Sequence, residues 1–230
     1  MRFLISILTV TLFASIMLIG CESSTSPSAE TPRLQLQFQA KISSLNANQL
    51  LKVTDQNLIV IEEVKFFVDE MDLAGTRGTE DFEVEEFIVN LPLDGTPLTI
   101  TDQTIPAGFY DEFELEIEKP DDDAAVNDPD FKDETGKYSV VVKGKYNGED
   151  FTFRSREDFE IEIDLDPALE IEESGNSILV LTIDLSRWFK GLNGEDLNPG
   201  DSGNTNRINQ NIEKSFEAFE DKYDDDDDDD

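Results

Sequence analysis

The sequence predicts a mainly β fold: a single antiparallel β-sandwich of about eight strands followed by a short C-terminal amphipathic helix. Three observations predict it. Between Arg33 and Arg187 the dominant hydrophobic period is two, with one apolar and one charged face per segment. Turn signals punctuate these segments, among them Leu93-Asp94-Gly95, Ile105-Pro106-Ala107-Gly108 and Asn147-Gly148. Near the C-terminus the period changes: Ile208, Ile212, Phe216 and Phe219 fall at helical spacing.

The elements follow in chain order. Met1-Arg2 is a cationic start, and Phe3 to Ile19 is an apolar run without charge. Leu18-Ile19-Gly20-Cys21 then resembles the lipobox of bacterial lipoproteins, in which a lipid is attached to the cysteine thiol before cleavage makes that cysteine the new N-terminus. The resemblance assigns residues 1–20 to a signal peptide and makes Cys21, the chain's only cysteine, the lipidation site. A membrane anchor with an incidental cysteine and plain secretion are the competing readings. Residues 21–32 are rich in Ser, Thr and Pro and predict a flexible tether, because they offer too little apolar surface to offset ordering entropy. Glu22, in place of Asp after the cysteine, favours the outer membrane by analogy with lipoprotein sorting, with the side it faces left open.

Residues 33–190 form the expected sandwich. Leu34, Leu36, Phe38 and Ala40 alternate with Gln35, Gln37 and Gln39; Phe113, Leu115 and Ile117 alternate with Glu112, Glu114, Glu116 and Glu118; Phe159, Ile161, Ile163 and Leu165 alternate with Glu160, Glu162 and Asp164. Leu58–Phe67, Phe82–Asn90, Tyr138–Tyr146, Phe151–Ser155 and Ile178–Leu185 are further strands, and Asn147-Gly148 predicts a hairpin. Trp188 and Phe189 are expected to cap one end of the core. Residues 191–223 supply a Gly/Asn/Asp-rich loop and then the helix, with Asn206 as N-cap and its apolar stripe docked on the sandwich. Asp224 to Asp230 form a disordered poly-aspartate tail, extended by self-repulsion.

Composition excludes several chemistries. The chain of 230 residues has 53 acidic against 18 basic side chains, a formal net charge of −35, and no histidine. That rules out Ser-His-Asp and Cys-His catalysis and imidazole metal sites, and a lone cysteine rules out a disulfide framework. Nucleic acid is not expected as a partner, since phosphate contacts need clustered Lys and Arg. The acidity has three readings: solubility or adaptation to a salty medium, loose binding of calcium, and docking on a basic partner or a mineral surface. Calcium is the one candidate cofactor. Its expected ligands are Asp121, Asp122, Asp123, Asp128, Asp130, Asp133 and Glu134, although Lys132 and Asp133 fall where an EF-hand needs an oxygen donor and a glycine. A second oxygen-rich stretch runs through Asn193, Glu195, Asp196, Asn198 and Asp201. Paired carboxylates can hydrolyse glycosides, but no pair here stands out from the charged strand faces.

Leu58-Ile59-Val60-Ile61-Glu62-Glu63-Val64, Ile105-Pro106-Ala107-Gly108-Phe109-Tyr110 and Ile208 through Asp221 resemble a family of uncharacterised bacterial envelope lipoproteins with an immunoglobulin- or transthyretin-like sandwich. The order of elements is also similar to that of the MbnP-like periplasmic proteins, which are associated with copper. Copper finds little support in this sequence: once the signal is removed and Cys21 lipidated, Met71 is the only soft ligand left. The resemblance implies fold and envelope location and transfers no catalytic residue. The expectation is a lipid-anchored, non-catalytic binding or structural module of the outer membrane, held to the membrane by its lipid, with an envelope protein, a peptide or a polysaccharide as partner. The alternatives are a calcium-dependent adhesin or cation-binding protein and, third, a carboxylate-based hydrolase.

Overall fold

Alternation along each strand delivers apolar side chains to one side, and the fold buries that side between two sheets. The structure, a computed structural model, describes residues 31–41, 59–121 and 128–221. In chain order it contains β1 (Arg33–Lys41), β2 (Ile59–Thr76), β3 (Phe82–Asn90), β4 (Leu98–Thr104), β5 (Gly108–Ile117), β6 (Lys132–Asp133), β7 (Gly136–Lys137), β8 (Val140–Tyr146), β9 (Glu149–Ser155), β10 (Phe159–Ile171), β11 (Asn176–Asp184), the helix α1 (Thr205–Glu213) and β12 (Phe216–Asp221). One sheet has the order β12-β11-β1-β4; the other has the order β10-β5-β2-β8-β9 with β3 added on β2; β6 and β7 pair by themselves. The mainly β, open-sheet sandwich is the fold the alternation predicts.

Between the sheets lies one core. Phe38 of β1 stacks on Phe66 of β2, with ring centroids 5.9 Å apart, and Phe66 meets Phe216 edge-on at 6.3 Å. Trp188 is fully buried at the end of the core, as expected, and its indole Nε1 donates to Ser215 Oγ at 2.8 Å.

β2 organises the second sheet. Its first half pairs with β8, its second half with β5, and β3 runs along its middle. Val64, Phe66 and Val68 alternate onto the core face, so Phe67 turns outward, and a register shift between Val68 and Glu70 interrupts the two-residue period. That bulge lets Met71 and Leu73 share the core face with Val64, Phe66 and Val68. The β8–β9 hairpin closes through Asn147 (φ 54°) and Gly148 (φ 81°), the doubly left-handed turn predicted for this pair.

Three expectations are corrected. The helix is shorter than the apolar stripe suggests: it ends at Glu213, and Phe216–Asp221 is a strand pairing with β11. Ile208, Ile212 and Phe216 are nonetheless all buried, so the stripe identified core positions while the backbone changed form at Ser215. There Ser215 Oγ bonds the carbonyl of Ile212, and the Ser215 carbonyl accepts from Asp184 N–H at 2.8 Å. Asn206 is not the N-cap. It lies inside the first turn, and the chain enters the helix through a 3₁₀ turn, Ser202–Asn204, capped by Asp201. Finally, β1 and β11 pair in parallel rather than antiparallel, a geometry open to strands joined by so long a connection. β4, β12 and the β6–β7 pair are strands beyond those the alternation marked.

Candidate functional site

Two groups of carboxylates matter, and both stand on the outward face of the β2 sheet. The first is the predicted calcium loop. Residues Asp122 and Asp123 lie outside the described residues, and Asp121 and Glu134 are exposed at its two ends. Asp128 precedes a 3₁₀ turn, Pro129–Phe131, that contains Asp130, and the Asp128 side chain accepts from Asp130 N–H at 2.9 Å. Both aspartates are taken by lysines: Lys65 Nζ donates to Asp128 Oδ2 and Asp130 Oδ2 at 2.8 Å each, and Lys143 Nζ to Asp130 Oδ2 at 2.7 Å. Glu63 joins from β2, 2.8 Å from Lys143. Burial opposes the charge on Lys65, but the two aspartates outweigh it and raise the ammonium above its ordinary range. Burial likewise opposes ionisation of Asp130, and Lys143 and Lys65 hold it below the usual carboxylate range.

The remaining ligand candidate turns elsewhere. Asp133 accepts from Thr135 Oγ1 (2.6 Å), Thr135 N–H (2.7 Å) and Tyr138 OH (2.9 Å), bonds that lower it to about 2. Beneath the loop Phe131 and Tyr138 pack on Phe67 and Val141 as a small second core. Among the described candidates, Asp128 and Asp130 share two lysines while Asp133 bonds Thr135 and Tyr138 instead. Asp128 and Asp130 tie the loop to the sheet, with lysine as the counter-charge. In the second oxygen-rich stretch, Asp196 pairs with Lys190, and Glu195, Asn198 and Asp201 accept from backbone N–H groups of their own loop.

The second group is a carboxylate ladder. Strand register places Glu83, Asp72, Glu114 and Glu162 in one row across β3, β2, β5 and β10, and Glu85, Glu70, Glu116 and Glu160 in the next. Glu112 and Asp164 begin a third row. Sheet geometry spaces such side chains by about 4.8 Å across strands and about 6.8 Å along them. No Lys or Arg occurs in β3, β5, β10 or residues 68–76 of β2. Directly opposed like charges destabilise a sheet, so protons or cations must relieve them. Asp72 is raised to about 6, first by burial and then by the carboxylates of Glu114, Glu70 and Asp81. Glu114, Glu116 and Glu118 are also raised, first by burial and then by acidic neighbours. One oxygen each from Glu114, Glu160 and Glu162 lie within 4.8 Å of one another, close enough to share an ion.

The sequence marks the β5 and β10 acids as one charged face, but it does not reveal their opposition or the contributions of Glu70, Asp72, Glu83 and Glu85. The acidic alternation of Phe82–Glu86 was the available signal. Cys21, the predicted signal segment, residues 22–30 of the predicted tether and the run Asp224 to Asp230 lie outside the described residues. Among the described residues no helix is long and apolar enough to cross a membrane. Compared with known protein families, curated proteins and solved structures, the chain matches none.

Proposed function

We propose that this protein is a lipid-anchored, non-catalytic β-sandwich of the bacterial outer membrane that serves as a binding or structural module. The observation that carries the reading is Leu18-Ile19-Gly20-Cys21, ending an uncharged apolar run at the chain's only cysteine and followed by a Ser/Thr/Pro-rich tether. Acyl chains contribute about 0.8 kcal/mol per buried methylene, so two or more hold a soluble domain stably at a bilayer. A domain this acidic is repelled by anionic headgroups, which favours a sandwich standing off the surface. The acids of the ladder lie on an open sheet face rather than around a water-excluding cleft, which supports a binding role over hydrolysis. Membrane fractionation of the native chain against Cys21→Ala tests the anchor: the variant should move to the soluble fraction, and retention of the variant in the membrane would remove the reading.

A second reading, cation binding, rests on the convergence of Glu114, Glu160 and Glu162 rather than on the loop of Asp128 and Asp130. A thermal melt at fixed ionic strength tests it. A midpoint rise with millimolar calcium but not magnesium, lost in Glu114→Gln, supports a calcium site; equal small shifts with both ions mean diffuse screening.

A further inference from the structure

At the start of β10, a cavity of about 360 Å³ opens between that strand and α1. This volume is at the small end of the range for ligand pockets. Its most informative lining residue is Asn209. The side chain is buried, 6% exposed, and neither Nδ2 nor Oδ1 has a hydrogen-bond partner. Leaving a buried amide unsatisfied is costly, so its persistence asks for a partner. Ile208 and Ile212, the fully buried neighbours on the helix, seal the core side, which leaves the cavity as the direction from which a partner arrives.

The surroundings specify its chemistry. Asn206, Gln210 and Glu213 stand three before, one after and four after Asn209, a single helical face. Glu157 and Asp158 approach from the β9–β10 turn, next to Phe159, which packs into the core. Asp158 is paired with Lys119, whereas Glu157 and Glu213 have no ion-pair partner among the described residues, and no Lys or Arg lines the space. Amide and carboxylate acceptors with no cation among them suit a ligand cation with N–H donors. A neutral sugar would use the amides but leave two charges unmatched.

We propose that this cavity binds an alkyl-ammonium or guanidinium group, with Glu157 and Glu213 balancing its charge and Asn209 Oδ1 accepting one of its N–H bonds. The group belongs either to a free polyamine or to a Lys or Arg side chain of a partner protein. The inference goes beyond the function proposed above and needs neither the lipid anchor nor the carboxylate ladder.

Isothermal titration of the full-length protein with N-acetylarginine amide, spermidine and N-acetylglucosamine, at about 0.15 M salt where long-range attraction is screened, tests it. Saturable one-to-one binding of a cationic probe is expected. Glu213→Gln, on the helix surface, should weaken it at least about tenfold, and Asn209→Leu should weaken it similarly while raising the melting midpoint, because an unsatisfied buried amide gives way to an apolar group of similar shape. The double variant Glu83→Gln/Glu85→Gln, on β3, should leave the affinity unchanged. Preference for the arginine amide points to a protein side chain, preference for spermidine to a free polyamine. Absence of saturation, equal weakening in the double variant, undiminished binding by Asn209→Leu, or tighter binding of N-acetylglucosamine would each overturn the proposal.

Discussion

The outward face of β2 is two surfaces on one strand. Toward its start stand Glu63, Lys65 and Phe67; past the bulge stand Glu70 and Asp72. At the first, Lys65 and Lys143 meet Asp128 and Asp130, and Phe131 covers Phe67. At the second, carboxylate faces carboxylate across four strands with no cation in those segments. The acids are chemically alike; their partners differ. Where two lysines are present the acids become part of the fold, holding a loop over an apolar patch. Where none is present the acids face one another and the surroundings, and Asp72 is pushed up to about 6.

Removing the apolar half of the first surface should have the largest effect. Phe131 is fully buried and meets Phe67 edge-on at 6.4 Å. Phe131→Ala should cost about 3 kcal/mol in urea unfolding, at the low end for buried phenylalanines because the satellite core is small. Hydrogen exchange should quicken around Val141 while the Trp188 end of the core stays protected. If Val141 exchange were unchanged, Phe131 would not be holding the loop to the sheet.

The charged half comes next. The Lys65 side chain is only 13% exposed and carries two 2.8 Å bonds. Lys65→Met leaves Asp128 without its cation and Asp130 with Lys143 alone. The loss should be about 2 kcal/mol, less than for a fully buried pair, and a urea midpoint equal to wild type would show that the loop stands without the lysine. The same treatment has nothing to remove at the ladder.

This contrast explains what the sequence made legible. Alternation located most strands, and Phe82–Asn90 agrees with its sequence bounds residue for residue. Asn147-Gly148 named its own turn, since few residues accept two successive positive φ angles. The helical stripe named Ile208, Ile212 and Phe216 as buried but missed the switch at Ser215, because positions eight residues apart fall on one side of a helix and also of a helix followed by a paired strand. The ladder was harder still. Alternation states that Glu114 points outward, but only register sets it opposite Asp72 and Glu162, and register depends on bulges such as that at Asp69 that no local pattern announces. The lysine pairing in the predicted calcium loop was hidden for a similar reason: Asp128 and Asp130 meet Lys65 across 63 and 65 residues.

The smallest effect separates the two surfaces by sign. Asp72 titrates near 6 in the fold against 3.8 ordinarily, so between about pH 4 and 6 the folded state holds more protons than the unfolded chain. Stability must then fall as pH rises through that window. Asp130 and Asp133 act oppositely: their folded values are lowered, so the stability they contribute is present at neutral pH and is lost as pH falls below about 4. The melting midpoint should therefore peak on the acid side of neutrality, near pH 4. Asp72→Asn should stabilise the protein at pH 7 by about 0.5 kcal/mol, the scale of one cross-strand like-charge contact, and should flatten the decline between pH 5 and 7. Asp130→Asn should destabilise at pH 7, although it deletes the same charge from the same sheet face. Added salt should shrink the Asp72 gain, because screening relieves the repulsion that the substitution removes. A wild-type midpoint that rises steadily from pH 5 to 7, or an Asp72→Asn variant less stable at pH 7, would mean that the ladder carries compensating partners of its own.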